Sequence, residues 1–270
     1  TDRRQRQMCI RDRLKIASNK TFDYVDVSLL GKYNLDENFN DFHIDKILDL
    51  DLVNKEAIKK AKLNVVIDAV NSTGGFMIPK LLEKLGVSYH KLYCEPNGIF
   101  PHNPEPLAEN LSEISTQVVN NGSHLGLVVD PDVDRLAIVC EDGSMFGEEY
   151  TLVSVADYIL SKKRGSTVSN LSSTRALKDI TEKYGCNYFP SAVGEVNVVE
   201  CMKINNAVIG GEGNGGVILP DLHYGRDALV GIALFLSLYA EKGLKASVLR
   251  DSYPKYYMKK NKVELDDENK

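Results

Sequence analysis

Residues 64–86 read NVVIDAVNSTGGFMIPKLLEKLG, and they decide the fold of the first half of the chain. The opening run, residues 64–70, is almost entirely apolar, which is typical of a strand buried on both faces of a parallel sheet. A turn with two glycines follows, and then a helical pattern that ends at Gly86, a residue favoured at helix ends. A buried strand that leads directly into a helix predicts an α/β fold.

The alternation of strands and helices continues in both directions. Further segments of the first unit are a helical pattern at 42–61, strands at 88–94, 125–129 and 136–140, a proline-rich loop at 96–106 and a helix at 107–120. A second unit has strands at 167–171, 188–191, 207–209 and 217–219, and helices at 150–162, 174–184, 195–203 and 227–241. The last of these helices is apolar and is opened by Asp227, a residue favoured at the N-cap. The sequence therefore predicts two consecutive, similar α/β domains, each a mixed sheet packed by helices.

Composition excludes several classes of function. The chain is 43% hydrophobic and carries a formal net charge of -5, so no basic excess points to nucleic acid as a partner. No apolar run reaches the length of a membrane span. The five cysteines are scattered without metal-ligand spacing: Cys9, Cys94, Cys140, Cys186 and Cys201. We expect reduced thiols, no membrane partner and a cytoplasmic location.

The first 13 residues differ from the rest of the chain. Five arginines surround one short apolar run, Met8 to Ile10. A secretory signal needs an apolar stretch of roughly 7–15 residues, which does not follow here. We expect residues 1–13 to be a foreign or disordered leader, and resistance to trypsin within these arginines would count against this.

The most informative motif is DPDVDR, at residues 130–135, directly after a predicted buried strand. Asp130, Asp132 and Asp134 alternate along the chain, and in an extended segment that spacing places all three on one side. Their charges repel one another unless a cation lies between them, and hard oxygen ligands suit magnesium, manganese or calcium rather than zinc. Arg135 follows as a fixed cation that can bind phosphate through two hydrogen bonds.

Two other interpretations of this motif compete with a metal site of this kind. A calcium loop of the EF-hand type also begins with alternating aspartates, and Glu141 falls at its twelfth position. Its sixth position requires glycine, however, and holds Arg135, while its ninth holds Ile138 within a strand pattern. The other interpretation is a solvated acidic turn without a ligand.

A second motif, GGEGNGG, occupies residues 210–216. It contains a formal G-x-G-x-x-G match, but a dinucleotide-binding loop must open a helix, and an extended apolar segment ending at Pro220 follows instead. We therefore predict a strand–loop–strand hairpin. Glu212 and Asn214 alternate in it, and a carboxylate beside an amide suits sugar hydroxyls, which both donate and accept. A plain wide turn stays open as an alternative, and a helix after Gly216 would favour a nucleotide-binding domain.

Together the two motifs, in this order, resemble the α-D-phosphohexomutases, the family of phosphoglucomutase, phosphomannomutase and phosphoglucosamine mutase. Three further segments resemble the same family: NGIFPHNPEP at 97–106, SAVGEVNV at 191–198 and HYGRD at 223–227. The resemblance covers most of the chain and implies a four-domain enzyme with a central active site.

The resemblance also implies a division of the chain into family domains. Residues 14–44 would be a remnant of domain I and its linker, 45–147 domain II with the acidic loop, and 148–257 domain III with the glycine loop. Residues 258–270 would be a truncated linker to a missing domain IV. The serine motif of domain I and the serine- and threonine-rich phosphate cradle of domain IV are not found in this sequence.

The chemistry implied by the resemblance is transfer of a phosphoryl group between the 1- and 6-positions of a hexose phosphate, through a phosphoserine and a hexose bisphosphate. Asp130, Asp132 and Asp134 would hold Mg²⁺, with the phosphoserine as a further ligand. Arg135 would be the catalytic arginine that contacts the ligand. The substrate-binding positions would be Glu212, Asn214, Arg175 and Glu195. Alone, the 270 residues are expected to show almost no turnover.

The sugar itself is predicted from the glycine loop. Many bacterial members have serine and histidine where this chain has Asn214 and Gly216. The form found here resembles members assigned to phosphoglucosamine or phosphomannose, and we favour glucosamine phosphate slightly over mannose or glucose phosphate. The alternative is a non-catalytic sugar-phosphate-binding fragment or paralogue, which needs no phosphoserine.

Overall fold

A computed structural model describes residues 3–20, 22–36 and 38–258 of the chain. Two four-stranded mixed sheets follow each other in this part of the chain, and helices pack against both. The predicted fold class, two consecutive and similar α/β domains, is confirmed.

The first sheet is built around strand β1 (Asn64–Asp68), which the apolar run predicted. It lies parallel to β2 (Ser88–Leu92) on one side and to β3 (Leu125–Val129) on the other. Strand β4 (Leu136–Cys140) pairs with β3 in the antiparallel sense, which gives the order β2-β1-β3-β4. Because β3 runs parallel to β1 and antiparallel to β4, the short turn between β3 and β4 lies at the end of the sheet where β1 also ends.

Helices cover both faces of this sheet. Side chains alternate along a strand, so Val65 and Ile67 lie in the buried cluster that contains helix α4 (Gly74–Leu85). Val66 points to the other face, where it joins the cluster of helix α5 (Ser112–Asn120). This burial on both faces explains why β1 reads as a continuous apolar run rather than an alternating one.

The second sheet repeats the topology of the first. Strand β5 (Thr167–Asn170) lies parallel to β6 (Tyr188–Ser191) and β7 (Ile209–Glu212), and β8 (Gly216–Ile218) is antiparallel to β7. The resulting order, β6-β5-β7-β8, matches that of the first sheet position by position. The turn between β7 and β8 therefore occupies the same place in the second unit as the acidic loop occupies in the first.

Five helices accompany the second sheet: α6 (Glu148–Lys162), α7 (Ala176–Lys183), α8 (Glu195–Ile204), α9 (Ala228–Lys242) and α10 (Ala246–Asp251). Helix α9 is buried along most of its length and contacts both units. A helix that is apolar all round is stable only when it is enclosed. Asp227 caps α9 as predicted, since its Oδ1 accepts the N–H groups of Leu229 and Val230 at 2.8 and 3.2 Å.

The segment before β1 contains helix α1 (Arg3–Asn19), a 3-10 turn at Val27–Leu29, and helices α2 (Phe39–Leu48) and α3 (Lys55–Ala61). The helical pattern predicted over residues 42–61 is thus split in two. Asn54 explains the split, because its side chain accepts the Ala57 N–H at 3.0 Å and starts α3 anew.

Helix α1 includes most of the predicted leader, whose foreign origin stays a prediction. Of the predicted linker at residues 258–270, residues 259–270 lie outside the described part of the chain. None of the described helices combines the length and the apolar character needed to cross a bilayer. Four cysteines whose side chains the structure describes are unpaired: Cys94, Cys140, Cys186 and Cys201.

Candidate functional site

The acidic loop, residues 130–135, connects β3 to β4 beside the turn that follows β1. The hydroxyl groups of Ser72 and Thr73, in that turn, donate hydrogen bonds to the carbonyl oxygen of Pro131 at 2.7 and 2.8 Å. Both donors lie far from the loop in sequence and reach it because the two strand ends meet at one edge of the sheet. The acidic loop is therefore fixed by the first sheet.

The backbone of the acidic loop is a tight turn rather than an extended segment. The N–H of Val133 donates to the carbonyl of Asp130 at 3.2 Å, and Val133 itself has a φ of 59°. A β-branched residue rarely adopts this left-handed conformation. The carbonyl of Val133 accepts the N–H of Ala228, the first residue of α9, at 2.9 Å. The second unit thus helps to hold the turn in this strained form.

The three aspartates of this loop converge despite the turn. Asp130, Asp132 and Asp134 each place one carboxylate oxygen within 4.8 Å of the others. Asp130 is buried, and its Oδ1 accepts the N–H groups of Asp134 and Arg135 at 3.1 and 3.0 Å. Oδ1 of Asp134 is buried without a hydrogen-bond partner. An unsatisfied buried oxygen among converging carboxylates fits a hard divalent cation such as Mg²⁺.

Crowding of these carboxylates shifts their ionisation. Burial of its carboxyl group, reinforced by the neighbouring Asp134, raises the pKa of Asp130 to about 7. Burial raises the pKa of Asp134 as well. Both shifts have one cause, since charged oxygens that lose water and face each other favour a bound proton. A cation would replace that proton.

We therefore expect the affinity for Mg²⁺ to depend on pH. A metal ion would bind the ionised form of Asp130, and below a pKa of about 7 most of the metal-free protein carries the proton instead. Affinity should rise with pH and be about tenfold higher at pH 8 than at pH 6, as measured by calorimetry in non-chelating buffers. An affinity that does not change across this range would contradict the proton competition.

Arg135 lies beside the carboxylates but is held loosely. Its Nε is 3.4 Å from Oδ2 of Asp130 and 3.6 Å from Oδ1 of Asp134, and one terminal nitrogen is 3.9 Å from Glu105. These distances exceed those of strong charge-assisted hydrogen bonds. The guanidinium group therefore keeps N–H donors that could bind an anion beside the acidic loop.

The glycine loop, residues 210–216, is the predicted hairpin. Strands β7 and β8 are antiparallel, and a strand rather than a helix continues from Gly216, so the structure does not meet the criterion for a dinucleotide-binding loop. The carbonyl of Gly215 accepts the N–H of Leu136, the first residue of β4, at 3.0 Å. This bond places the glycine loop directly against the end of the acidic loop.

Glu212 lies at the end of β7 and is only 6% exposed. Its Oε1 accepts a hydrogen bond from Nδ2 of Asn170 at 2.6 Å, and its Oε2 accepts one from Nη1 of Arg226 at 2.7 Å. Buried charges are stable only when they are paired in this way. The side chain is thus held in one orientation, while each oxygen keeps capacity for a further donor.

Asn214 occupies the tip of the same loop and is half-buried. Its Oδ1 accepts the N–H of Gly216 at 3.2 Å, which closes a short turn. This bond assigns the oxygen to the backbone and leaves the amide N–H₂ group as the side chain's donor. The amide at Asn214 and the carboxylate at Glu212 are therefore complementary groups on one loop.

Arg226 connects the two loops, and the sequence reasoning did not assign it a role. Its guanidinium group contacts Oδ2 of Asp134 and Oε2 of Glu212, and its Nε lies 3.5 Å from Glu195. The residue belongs to the HYGRD segment at 223–227, whose resemblance to the family assigns no role to this arginine. No local pattern predicts that one arginine reaches carboxylates this distant in sequence.

Of the two remaining predicted residues, Glu195 contacts Arg226 and Arg175 does not. Glu195 starts α8 and joins the site through Arg226, whose backbone N–H it accepts at 3.1 Å. Arg175 precedes α7 and is exposed, and no hydrogen bond or ion pair among the described residues joins it to the network. Its proposed contact with a ligand stays a prediction.

A second cluster of possible metal ligands supports the turn that carries Arg226. Nε2 of His43 and Nε2 of His223 lie 2.8 and 3.1 Å from the same oxygen of Asp227. Nδ1 of His223 faces the N–H of Gly225 at 3.0 Å and must accept it, which assigns the ring proton to Nε2. A metal ion at Nε2 would break that arrangement.

The pKa shifts of Asp227 and His43 are those expected when the two histidines donate hydrogen bonds to the carboxylate. Burial would raise the pKa of Asp227, but hydrogen bonds from His223 and His43 outweigh it and lower that pKa. The bond to Asp227 raises the pKa of His43. The two residues of this bond, His43 and Asp227, are 184 positions apart in the sequence. We conclude that the cluster fixes the start of α9 and the preceding turn.

Comparison with known proteins agrees with the geometry. The family description "Phosphoglucomutase/phosphomannomutase, alpha/beta/alpha domain II" matches residues 41–143, and the corresponding description of domain III matches residues 147–257. The first covers the sheet with the acidic loop, and the second covers the sheet with the glycine loop.

Individual proteins show the same relationship. A phosphoglucomutase/phosphomannomutase of Thermococcus kodakarensis is 36% identical over 220 residues, which are 81% of this chain and 48% of that protein. A probable phosphoglucosamine mutase of Methanosarcina barkeri is 32% identical over 91% of this chain and 54% of its own length. A solved phosphoglucomutase/phosphomannomutase family protein of Burkholderia thailandensis superposes with a TM-score of 0.78 at 26% identity, covering 90% of this chain and 51% of that one.

Fold and site thus define an α/β protein with an acidic loop and a glycine loop joined at the contact of two similar units. The chain belongs to the α-D-phosphohexomutase family and contains its central domains II and III. It spans about half the length of the curated relatives that it matches.

Proposed function

We propose that this chain supplies the metal and sugar sites of a phosphohexomutase, which moves a phosphoryl group between the 1- and 6-positions of a hexose phosphate. The reaction would use a phosphoserine and a hexose bisphosphate intermediate. The observation that carries the proposal is the Arg226 side chain, which contacts both Asp134 of the acidic loop and Glu212 of the glycine loop. A metal on one loop and a sugar on the other would therefore be neighbours.

Mg²⁺ is the proposed metal, since members of the family use it. Asp130, Asp132 and Asp134 would hold the ion, and the unpartnered Oδ1 of Asp134 supports this. When bound, the ion would neutralise charge on the phosphoryl group in transit. Arg135 would bind phosphate oxygens beside it, because its present contacts at 3.4 Å or more leave its donors available.

Glu212 and Asn214 would bind the sugar hydroxyls, with Glu195 at the edge of the same network. Glu212 is already oriented by Asn170 and Arg226, so little side-chain freedom would be lost on binding. Arg175, whose side chain is exposed, would be a further contact to the ligand. The reaction would take place in the cytoplasm.

Glucosamine phosphate is the sugar phosphate that we favour slightly, ahead of mannose phosphate and glucose phosphate. The form of the glycine loop supports it, and so does the name of the Methanosarcina barkeri relative, a probable phosphoglucosamine mutase. The Thermococcus kodakarensis relative carries the names of the other two activities, so the relatives alone leave the three sugars close.

Calorimetry on the intact chain tests the proposal. With Mg²⁺ present, wild-type protein should bind hexose 6-phosphates, and Glu212→Gln should bind them about tenfold more weakly, because a charged acceptor becomes neutral. Glu182→Gln, an exposed change on α7, is the matched control and should bind as wild type does. Wild-type protein that binds no hexose phosphate would overturn the proposal.

A turnover assay separates the enzyme from the alternative, a non-catalytic sugar-phosphate-binding fragment or paralogue. A longer protein that contains this chain should interconvert hexose 1- and 6-phosphates in the presence of Mg²⁺, while the 270 residues alone should show almost no turnover. Binding without turnover by the longer protein would favour the alternative.

A further inference from the structure

Arg226 is nearly enclosed, with 13% of its side chain exposed, and it has three carboxylates around it. Asp134 comes from the loop between β3 and β4, Glu212 from the end of β7, and Glu195 from the start of α8. One guanidinium group therefore joins a loop of the first unit to a strand and a helix of the second unit. An exposed arginine that only offset nearby negative charge would not need to contact three carboxylates at once.

We propose that Arg226 is a positioning residue that couples the acidic loop, where the metal would bind, to the glycine loop, where the sugar would bind. The inference rests on the proposed function, since it concerns how the two binding loops influence each other. Arg226 is not proposed to contact the metal or the sugar.

The coupling follows from which oxygens the guanidinium group occupies. It takes Oδ2 of Asp134, and the other oxygen of that carboxylate, Oδ1, is buried, makes no hydrogen bond and lies 3.6 Å from Nε of Arg135. It also takes Oε2 of Glu212, whose other oxygen is bound by Asn170. The rotation of each carboxylate is therefore fixed by the same group, so a shift of one loop changes the orientation of the other.

The backbone at Arg226 is held firmly enough to transmit such a constraint. Its N–H donates to Glu195 at 3.1 Å, and the residue pairs with Ile218 at the end of β8 in an isolated bridge. The next residue, Asp227, caps α9 and is bound by His223 and His43. The side chain thus extends from a fixed turn.

Lysine cannot take over this role, which provides the test. A lysine keeps the positive charge, but it is a single compact cation and cannot hold separate carboxylates in the fixed geometry of a planar guanidinium group. If Arg226 acted only through its charge, Arg226→Lys would behave as wild type does. If it positions Asp134, the variant should lose affinity for the metal.

The experiment titrates the intact chain with Mn²⁺ and follows free Mn²⁺ by electron paramagnetic resonance. We expect Arg226→Lys to bind Mn²⁺ about tenfold more weakly than wild type, the usual effect of losing a group that orients a metal ligand. Arg164→Lys, a change at an exposed arginine after α6, should leave the affinity unchanged. Equal affinity of wild type and Arg226→Lys would overturn the inference.

A double-mutant cycle measures the interaction between Arg226 and Glu212 directly. It compares the effect of Glu212→Gln on Mn²⁺ affinity in the wild type with its effect in Arg226→Lys. Glu212 lies outside the aspartate cluster, yet Glu212→Gln should weaken Mn²⁺ binding about threefold, because it releases one anchor of Arg226. In the Arg226→Lys background the same change should have little effect. Additive effects of the two substitutions would show that the loops are independent and would also overturn the inference.

Failure of the inference is distinguishable from failure of the proposed function. A wild-type chain that binds neither Mn²⁺ nor hexose phosphate refutes the proposed function itself. A wild-type chain that binds both, with Arg226→Lys unchanged or the cycle additive, refutes only the coupling. Thermal unfolding of each variant shows whether it is folded before its affinity is interpreted.

Discussion

Asparagine in place of Asp130 is expected to weaken Mg²⁺ binding by roughly 100-fold, the largest effect on affinity that we predict. Asp130 is the most buried carboxylate of the acidic loop, and the substitution removes one of three negative charges that face the ion. An amide oxygen still accepts the N–H groups of Asp134 and Arg135, so the turn should be retained. Calorimetric titration with Mg²⁺ at pH 8 measures the change.

Asp142→Asn provides the matched control for this prediction. Asp142 is an exposed aspartate in the turn after β4, where its Oδ1 likewise accepts hydrogen bonds, from the N–H and the hydroxyl of Ser144. Its loss of charge should leave Mg²⁺ binding at the wild-type level. If Asp130→Asn bound Mg²⁺ as tightly as this control, the acidic loop would be a turn without a metal.

Alanine in place of Gly215 is expected to lower the free energy of unfolding by about 3 kcal/mol. Gly215 has a φ of +91°, a conformation that alanine adopts only with strain. A Cβ atom there would lie 2.4 Å from the carbonyl oxygen of Leu136, so strand and loop would have to separate. The Leu136 N–H to Gly215 carbonyl bond would be lost with them. Urea denaturation monitored by circular dichroism measures the loss.

Gly185→Ala isolates the contribution of the contact from that of the backbone. Gly185 also has a positive φ, +67°, but the space around it is open to a Cβ atom. Alanine there should cost about 1 kcal/mol from conformational strain alone. Equal losses in the two variants would mean that the approach of the glycine loop to β4 contributes nothing beyond local strain.

At the acidic loop the sequence predicted that three carboxylates lie close together, and the structure shows this, although the premise of an extended segment was wrong. The alternation of Asp130, Asp132 and Asp134 suggested an extended segment with one common side. The loop is instead a turn with Val133 in a left-handed conformation, and the carboxylates converge because Asp130 accepts backbone N–H groups. The three aspartates were enough to predict the cluster. Their actual geometry depends on the hydrogen bonds from the backbone to Asp130, which the spacing of the aspartates does not predict.

The sequence by itself determined the elements whose cause is local. An apolar run becomes a buried strand, Asp227 caps a helix, and the apolar segment after Gly216 makes a hairpin rather than a nucleotide loop. Each of these follows from side-chain alternation, burial or a hydrogen bond to a neighbouring N–H group. The acidic and glycine loops could therefore be located, and their chemistry inferred, from residue types alone.

Only the tertiary structure decided how the loops meet. Arg226 reaches Asp134 because two sheets with the same strand order bring their corresponding turns together. His43 reaches Asp227 across 184 positions because helix α2 packs against α9. Such contacts depend on how the units pack, since a charged side chain pairs with any carboxylate that the fold places within reach. Local pattern fixes which chemical groups each loop carries, and packing fixes which residue contacts both loops.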